Sequence, residues 1–141
     1  MLKLSDEYIS FILESFYADC SLKEIKAFDK YRKAVIGTLS YIEDNLANRI
    51  TLEDICEVSG LKTSRIAQLF REAIGMTAND YINFCRCRKA RILLVNSSLS
   101  IGKIGEICGF KSTIYFDRVF KLFTGCTPKI FRDDMEIEWQ E

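Results

Sequence analysis

The sequence predicts an all-α fold in which two helix-turn-helix units are joined by one long helix. Three observations support this prediction. One proline and seven glycines in 141 residues leave helix scarcely interrupted. A helix-turn-helix pattern occurs twice, about fifty residues apart. Residues 77–96, which separate the two copies, contain neither glycine nor proline.

The repeat is the most specific feature of the chain. Ile55–Leu61 aligns with Ile104–Phe110, and each segment has a small residue four positions before a glycine that a large apolar residue follows. Both copies then carry three apolar residues at i, i+3, i+4 spacing, which marks one face of a helix. These residues are Ile66, Leu69 and Phe70 in the first copy and Phe116, Val119 and Phe120 in the second. The offset changes from 49 to 50 residues across the glycine, so the second copy has one extra residue just after its turn.

The first copy predicts a helix, a tight turn and a second helix. Thr51 is the candidate N-cap of a helix that continues to about Val58, with acidic residues in its first turn. Gly60 supplies the positive φ that a short turn between helices usually requires. The second helix is expected over about residues 63–73 and ends at Gly75.

The second copy predicts the same three parts. Ser100 is the candidate N-cap of a helix to about Cys108, and Gly109 makes the turn. A helix over about residues 112–123 follows and ends at Gly125.

A small residue before each turn, Cys56 or Gly105, is expected where the two helices of a pair cross most closely. Glycine inside a helix lowers its stability, which indicates that a close approach matters at Gly105. An ordinary αα-hairpin is the alternative interpretation of one copy. Two hairpins that share both the small residue and the apolar triplet favour the helix-turn-helix.

Residues 77–96 predict a single helix that links the copies. Arg86, Arg88 and Arg91 add positive charge to it. Its inner side should contain Tyr81, Ile82, Cys85, the stem of Lys89, Ile92 and Leu93.

Charge is unevenly distributed along a chain whose net charge is zero. Residues 60–132 hold 13 Lys/Arg and 4 Asp/Glu, a net charge of +9. Residues 1–59 have a net charge of −4 and residues 133–141 one of −5. A basic segment between acidic ends indicates a localised surface for a polyanion such as DNA or RNA. A solvated basic face without a partner gives the same count.

Composition argues against several other classes of protein. No apolar run approaches the roughly 18 residues that a membrane span needs, and the N-terminus lacks a signal-peptide pattern. The six cysteines include no C-x-x-C pair and the chain has no histidine, so we expect no metal, no cofactor and no Ser-His or Cys-His catalytic pair. Cys56, Cys85 and Cys108 fit small buried thiols in a reducing cytoplasm. The acid pair Asp133 and Asp134 lies in an acidic tail, so an enzyme is not expected.

The second helix of a helix-turn-helix lies in the DNA major groove, and its outer face reads the bases. We call this helix the recognition helix of its unit. The candidate base-reading residues are Ser64, Arg65, Ala67 and Gln68 in the first unit and Thr113, Ile114, Asp117 and Arg118 in the second. Glutamine and arginine suit adenine and guanine edges, and an isoleucine can contact a thymine methyl group. The candidate phosphate contacts are Lys62, Arg71, Lys111 and Lys121.

Each of these residues, taken alone, is equally well explained as a solvated surface residue. The linking helix adds a second argument. About 20 residues span roughly 30 Å, close to the ~34 Å of one turn of B-DNA. One monomer should therefore place its two recognition helices in successive major grooves.

These residues resemble the DNA-binding domain of the AraC/XylS family of bacterial transcription regulators. The strongest match is Ile104–Arg132, with Gly-Phe after the small residue, the motif Y-F-D-R-V-F-K, then G-C-T-P and a final Phe-Arg. Thr51–Leu94 also resembles the family, and about Tyr31–Asn48 looks like its opening helix. Two residues differ from the family pattern, since Gly105 replaces a typical alanine and Ile114 a typically polar residue.

The resemblance implies a seven-helix bundle made of homeodomain-like three-helix units. The expected parts are a first helix-turn-helix subdomain (31–76), the linker helix (77–96), a second subdomain (97–132) and an acidic tail (133–141). It also implies a cytoplasmic, nucleoid-associated regulator that binds double-stranded promoter DNA and usually activates transcription by contacting RNA polymerase. Because Ser64 and Ala67 are weak base readers, we expect weaker or more shape-dependent reading by the first unit.

Residues 1–30 predict a separate helical extension. Ser5 begins a helix with an apolar stripe, and Ser21 with Glu24 forms a candidate capping box for a second short helix. The stripe consists of Tyr8, Ile9, Ile12, Leu13 and Phe16. It can pack on the domain, pair with another chain as in a homodimer, or be the end of a missing sensing or dimerisation domain, and we favour the last. An alternative function follows from the same stripe: residues 5–17 would bind a related full-length regulator.

Overall fold

The computed structural model describes residues 22–138, with side chains from residue 29 onward. Within this range the chain forms seven α-helices and no strand, which confirms the predicted all-α class. The helices are α1 (Leu22–Asp44), α2 (Leu52–Ser59), α3 (Thr63–Leu69), α4 (Ala78–Asn96), α5 (Ile101–Ile107), α6 (Thr113–Thr124) and α7 (Pro128–Glu138). The predicted N-terminal helix, its apolar stripe and the start of the capping box at Ser21 lie outside the described residues.

The described residues form two compact units. The first consists of the residues up to Asp44 together with Ile50–Ala78, and so contains α1, α2 and α3. The second consists of Asn45–Arg49 and the chain from Asn79 onward, and so contains α4 to α7. Each unit has one helix-turn-helix pair, α2 with α3 and α5 with α6, as the repeat predicted.

Helix α1 is longer than the sequence predicted. A separate short helix after Ser21 and an opening helix over residues 31–48 were both expected, but the described residues Leu22–Asp44 form one helix. Residues 22–30 contain neither glycine nor proline, so nothing in the sequence breaks the helix there. Its inner face buries Val35, Leu39 and Ile42.

The helices of the first pair begin and turn where the sequence predicted. The Thr51 hydroxyl accepts a hydrogen bond from the Asp54 backbone N–H at 3.2 Å, and the Asp54 carboxylate accepts one from the Thr51 N–H at 2.7 Å. This capping box satisfies two N–H groups at the start of α2. Gly60 ends α2 with φ +67° and makes the turn.

The first recognition helix ends at Gly75, where the sequence predicted its end, but it is not α-helical over its whole length. Helix α3 ends at Leu69, and Phe70–Ile74 form a π-helical turn. The Gly75 N–H donates to the Phe70 carbonyl at 3.0 Å, five residues back instead of four. The turn contains neither glycine nor proline, so no breaker in the sequence indicates it.

The second pair also has the predicted boundaries. Ser100 caps α5 by accepting from the Lys103 N–H at 3.2 Å, and Ser112 caps α6 by accepting from the Tyr115 N–H at 3.1 Å.

The core of this unit is formed by Cys87, Ala90, Leu94, Ile104, Cys108, Phe110, Phe116, Val119 and Phe120. Aromatic rings contact one another in this core, and the rings of Phe110 and Phe116 are stacked with their centroids 4.7 Å apart.

Gly105 lies where the sequence predicted a close crossing of helices. A Cβ at this position would lie 2.8 Å from the Cδ1 atom of Phe116, which is fully buried in the same core. In the first pair, the Cys56 thiol lies 3.5 Å from the Thr63 hydroxyl at the start of α3. The small residue therefore faces the recognition helix in both units.

The inner side of α4 differs from the predicted stripe. Tyr81, Ile82 and Cys85 are buried as expected, but Ile92 is 46% exposed. The side that enters the second core consists instead of Cys87, Ala90 and Leu94. The predicted stripe does not include this side of α4. Two of the three residues on it, Cys87 and Ala90, are small and contribute little apolar area.

Two of the three cysteines predicted to be buried, Cys85 and Cys108, are buried, whereas Cys56 is only half-buried. Cys87, which was not predicted, is buried as well. Burial raises the pKa of the Cys87 thiol to about 12 and that of Cys108 to about 11. Both thiols therefore stay protonated and unreactive near neutral pH.

The described part of the acidic C-terminal segment, residues 133–138, belongs to α7. Asp133, Asp134 and Glu136 lie on the exposed side of that helix. None of the helices within residues 22–138 has the length and apolar character that a membrane crossing requires.

Candidate nucleic-acid interface

The exposed face of α3 contains most of the residues predicted to read bases in the first unit. Ser64, Ala67 and Gln68 are exposed, and Arg65 is half-buried. The apolar triplet of this helix is buried on the opposite face, at Ile66, Leu69 and Phe70. The helical periodicity thus separates a core face from an open face, as the sequence predicted.

The same separation holds in α6. Thr113, Ile114 and Arg118 are exposed, and Asp117 is half-buried. Phe116, Val119 and Phe120 are buried on the other face. Ile114 lies in the first turn of the helix with 83% of its surface exposed, so most of its side chain is accessible to a binding partner.

The four lysines and arginines predicted to contact phosphate are all exposed. Lys62 immediately precedes α3, and Lys111 occupies the corresponding place two residues before α6. Arg71 lies in the π-helical turn after α3, and Lys121 lies in the last turn of α6. Each recognition helix thus has one basic side chain near its start and another near its end.

A network of side chains covers part of the α3 face. Arg65 Nη1 donates to Gln68 Oε1 at 2.8 Å, and Gln68 Nε2 donates to Glu72 Oε1 at 2.8 Å. The guanidinium carbon of Arg65 also lies 4.5 Å from the centroid of the Tyr31 ring on α1. Sequence reasoning missed Tyr31 and Glu72, although the spacing of three and four residues among 65, 68 and 72 indicates such contacts.

The α6 face has a simpler arrangement. The guanidinium carbon of Arg118 lies 5.4 Å from the centroid of the Tyr115 ring, one turn earlier on the same helix. The Tyr115 hydroxyl in turn accepts a hydrogen bond from the buried Asn83 amide at 3.1 Å. The Tyr115 ring is thus held by a hydrogen bond and makes a cation–π contact with Arg118.

One of the arginines expected to add positive charge to the surface of the linking helix instead makes hydrogen bonds inside the second unit. Arg86 Nε donates to the Leu46 carbonyl and Arg86 Nη2 to the Asn48 carbonyl, each at 3.0 Å. Burial lowers the pKa of the Arg86 guanidinium. Arg86 is thus a structural residue rather than part of an exposed basic surface, while Arg91 is exposed.

Arg132, like Arg86, donates hydrogen bonds to backbone carbonyls, and the sequence did not indicate these contacts. Its guanidinium donates to the carbonyls of Leu94 at 3.1 Å, Leu99 at 2.7 Å and Ser97 at 3.3 Å. These carbonyls belong to the end of α4 and to the loop before α5. Arg132 therefore holds the segment that leads into the second helix-turn-helix.

Comparison with known proteins identifies relatives over most of this region. A family model described as a helix-turn-helix domain matches residues 55–134. The xylose operon regulatory protein of Escherichia coli is 35% identical over 100 residues, which are 71% of this chain and 26% of that protein. The HTH-type transcriptional activator RhaR of Cronobacter sakazakii is 38% identical over 81 residues, 57% of this chain and 29% of that protein. The chain spans less than a third of the length of either relative.

The fold also matches solved structures. A transcriptional regulator of Chromobacterium violaceum, described as containing an AraC-type DNA-binding domain, superposes with a TM-score of 0.67 at 28% identity. The match covers 79% of this chain and 96% of that one. The fold is thus similar to that of a protein described as containing an AraC-type DNA-binding domain.

Proposed function

Because this chain belongs to the AraC/XylS family of DNA-binding transcription regulators, we propose that it binds promoter DNA sequence-specifically through α3 and α6. The relatives are regulators and not enzymes, in agreement with the sequence-based expectation. The observation that carries the proposal is the open face of each recognition helix, which lies opposite a buried apolar triplet and between two exposed basic side chains.

The proposed base contacts are the eight residues predicted from the sequence, and the proposed phosphate contacts are the four lysines and arginines. Helix α4 has 19 residues, which corresponds to roughly 28 Å. This length supports the proposal that the two recognition helices enter successive major grooves. The family and the name of one relative, a transcriptional activator, support activation. Contact with RNA polymerase, a cytoplasmic location at the nucleoid and homodimer formation remain predictions.

Titration of the 141-residue chain against its own upstream DNA at two salt concentrations tests the proposal. We expect specific binding that weakens steeply as salt rises, because each phosphate contact releases counterions from the duplex. Absent or salt-insensitive binding would contradict it.

A pair of variants on α6 separates base reading from phosphate contact. Arg118→Ala should cost about 1–3 kcal/mol of specific binding and relax the preference at one base pair, whereas Lys121→Ala should weaken binding to all sequences alike. Competition with random DNA measures both effects. Equal loss on specific and random DNA for Arg118→Ala would remove Arg118 from the base-reading set.

The alternative function, in which residues 5–17 bind a related full-length regulator, concerns residues outside the described part of the chain. It stays a prediction. Measurement of molecular mass with and without residues 1–28 tests it, and an unchanged monomeric mass would argue against it.

A further inference from the structure

The side chain of Gln68 is held from both sides on the open face of α3. Arg65 lies three residues before it and Glu72 four residues after it, so all three share one face of the helix. Both hydrogen bonds of this network measure 2.8 Å. Since the guanidinium carbon of Arg65 also lies over the Tyr31 ring, the network contacts α1 at one end.

The chemistry of the two neighbours sets the orientation of the Gln68 amide. A guanidinium can only donate hydrogen bonds, and an ionised carboxylate can only accept them. A reversed amide would place its NH₂ group against Arg65 and its oxygen against Glu72, and both hydrogen bonds would be lost. The oxygen must therefore face Arg65 and the nitrogen must face Glu72.

These contacts leave part of the amide available. Each uses one of the two lone pairs on Oε1 and one of the two N–H groups on Nε2, so one acceptor and one donor remain. Adenine presents a donor and an acceptor side by side in the major groove, N6–H and N7, which this pair matches. Guanine presents two acceptors there, O6 and N7, and only one of them can be matched.

We propose that Glu72 is a positioning residue and that Arg65, besides its own proposed base contact, acts with it to hold Gln68 in one amide orientation, which strengthens the preference of Gln68 for adenine over guanine. The proposal rests on the DNA-binding function proposed above and names the base that α3 selects. A side chain that is already ordered loses less conformational entropy when it binds. Loss of the network is therefore expected to reduce the discrimination about three- to tenfold rather than abolish it.

The test uses the full 141-residue chain. Selection of bound DNA from random sequence with the wild type and with Gln68→Ala locates the base pair that Gln68 faces, as the position where the variant loses its preference. Affinities for the adenine and guanine versions of that site are then measured for the wild type, Glu72→Ala and Glu72→Gln.

Glu72→Gln is the matched control for Glu72→Ala. Both variants remove the same negative charge, so both should raise the affinity for all DNA to the same extent. Glu72→Gln keeps a carbonyl oxygen that can accept from Gln68 Nε2, and it should retain most of the preference for adenine. Glu72→Ala should lose it about three- to tenfold. Residue 72 is exposed, so both variants should unfold at the temperature of the wild type.

The other outcomes overturn the proposal in distinguishable ways. If Glu72→Ala keeps the full preference, or if the two variants lose it equally, the positioning role is wrong while sequence-specific binding stands. If Gln68→Ala changes no position, Gln68 does not read a base. If the wild type selects no sequence at all, the proposed function fails together with the inference.

Discussion

The two helix-turn-helix units share one sequence pattern, but their turns differ in how closely they are enclosed. Gly60 in the first unit has φ +67°, and a Cβ built on it meets nothing within 4 Å. Gly109 in the second unit has φ +92°, and a Cβ there would collide with the Leu46 carbonyl oxygen and lie 3.0 Å from Arg86 Nε. The first glycine is required by conformation alone, whereas the second is also required by packing.

The starts of the two recognition helices differ in a related way. The N-cap of α3 is Lys62, whose side chain makes no capping hydrogen bond. The N-cap of α6 is Ser112, whose hydroxyl accepts from the Tyr115 N–H. The extra residue of the second copy lies in this turn, so the insertion accompanies a capping serine that the first copy lacks.

These differences indicate two kinds of recognition helix on one chain. In the second unit a capped, regular helix lies on a connected aromatic core, and such supported positions hold side chains most precisely. In the first unit the recognition helix ends in a π-helical turn, and its exposed face is ordered by side-chain contacts. The sequence-based expectation that the first unit reads DNA less strongly fits this contrast and remains a prediction.

The largest difference is expected at the two turn glycines. Gly109→Ala should destabilise the chain by about 3 kcal/mol, because the left-handed conformation and the collision with backbone both oppose a methyl group. Gly60→Ala is the matched control and should cost only about 1 kcal/mol, since it carries the conformational cost alone. Urea unfolding followed by circular dichroism measures both. Equal losses would show that the enclosure of Gly109 adds nothing.

Some of these features could be predicted from the sequence and others could not. Helix caps and tight turns depend on residue types with local conformational preferences, so they can be identified from the sequence alone. This holds for the caps at Thr51 and Ser100 and for the turns at Gly60 and Gly109. The open face of each recognition helix follows from periodicity in the same way.

The roles of Arg86 and Arg132 were hidden for a different reason. Their partners are backbone carbonyls, which every residue possesses, so no residue type marks the acceptor. The sequence alone therefore indicates only a positive charge at Arg86. The π-helical turn after Leu69 was missed because its sequence, FREAI, contains ordinary helix-forming residues.

Arg132 in the second unit and Arg65 in the first make different contacts and should contribute differently to stability. Arg132→Ala removes hydrogen bonds to three backbone carbonyls and should destabilise the chain by about 2 kcal/mol, because two of these hydrogen bonds are partly buried and their acceptors lose a charged donor. Arg65→Ala removes an exposed side-chain contact and a stacking contact and should cost about 0.5 kcal/mol. Thermal unfolding of both variants beside the wild type gives the difference. The expected order would be refuted by an Arg65 variant as unstable as the Arg132 variant.

The smallest expected effect tests whether the capping difference can be moved from one unit to the other. Ser112→Ala should cost about 1 kcal/mol, because the Tyr115 N–H loses its acceptor at the start of α6. Lys62→Ser should stabilise the chain by about 0.5–1 kcal/mol, because a hydroxyl at the N-cap of α3 can accept from the N–H of a residue in the first turn. Lys62→Ala is the control, since it removes the same charge without adding an acceptor. If serine and alanine at position 62 unfold at the same denaturant concentration, the missing cap is not what distinguishes the first recognition helix, and its wide last turn becomes the better explanation.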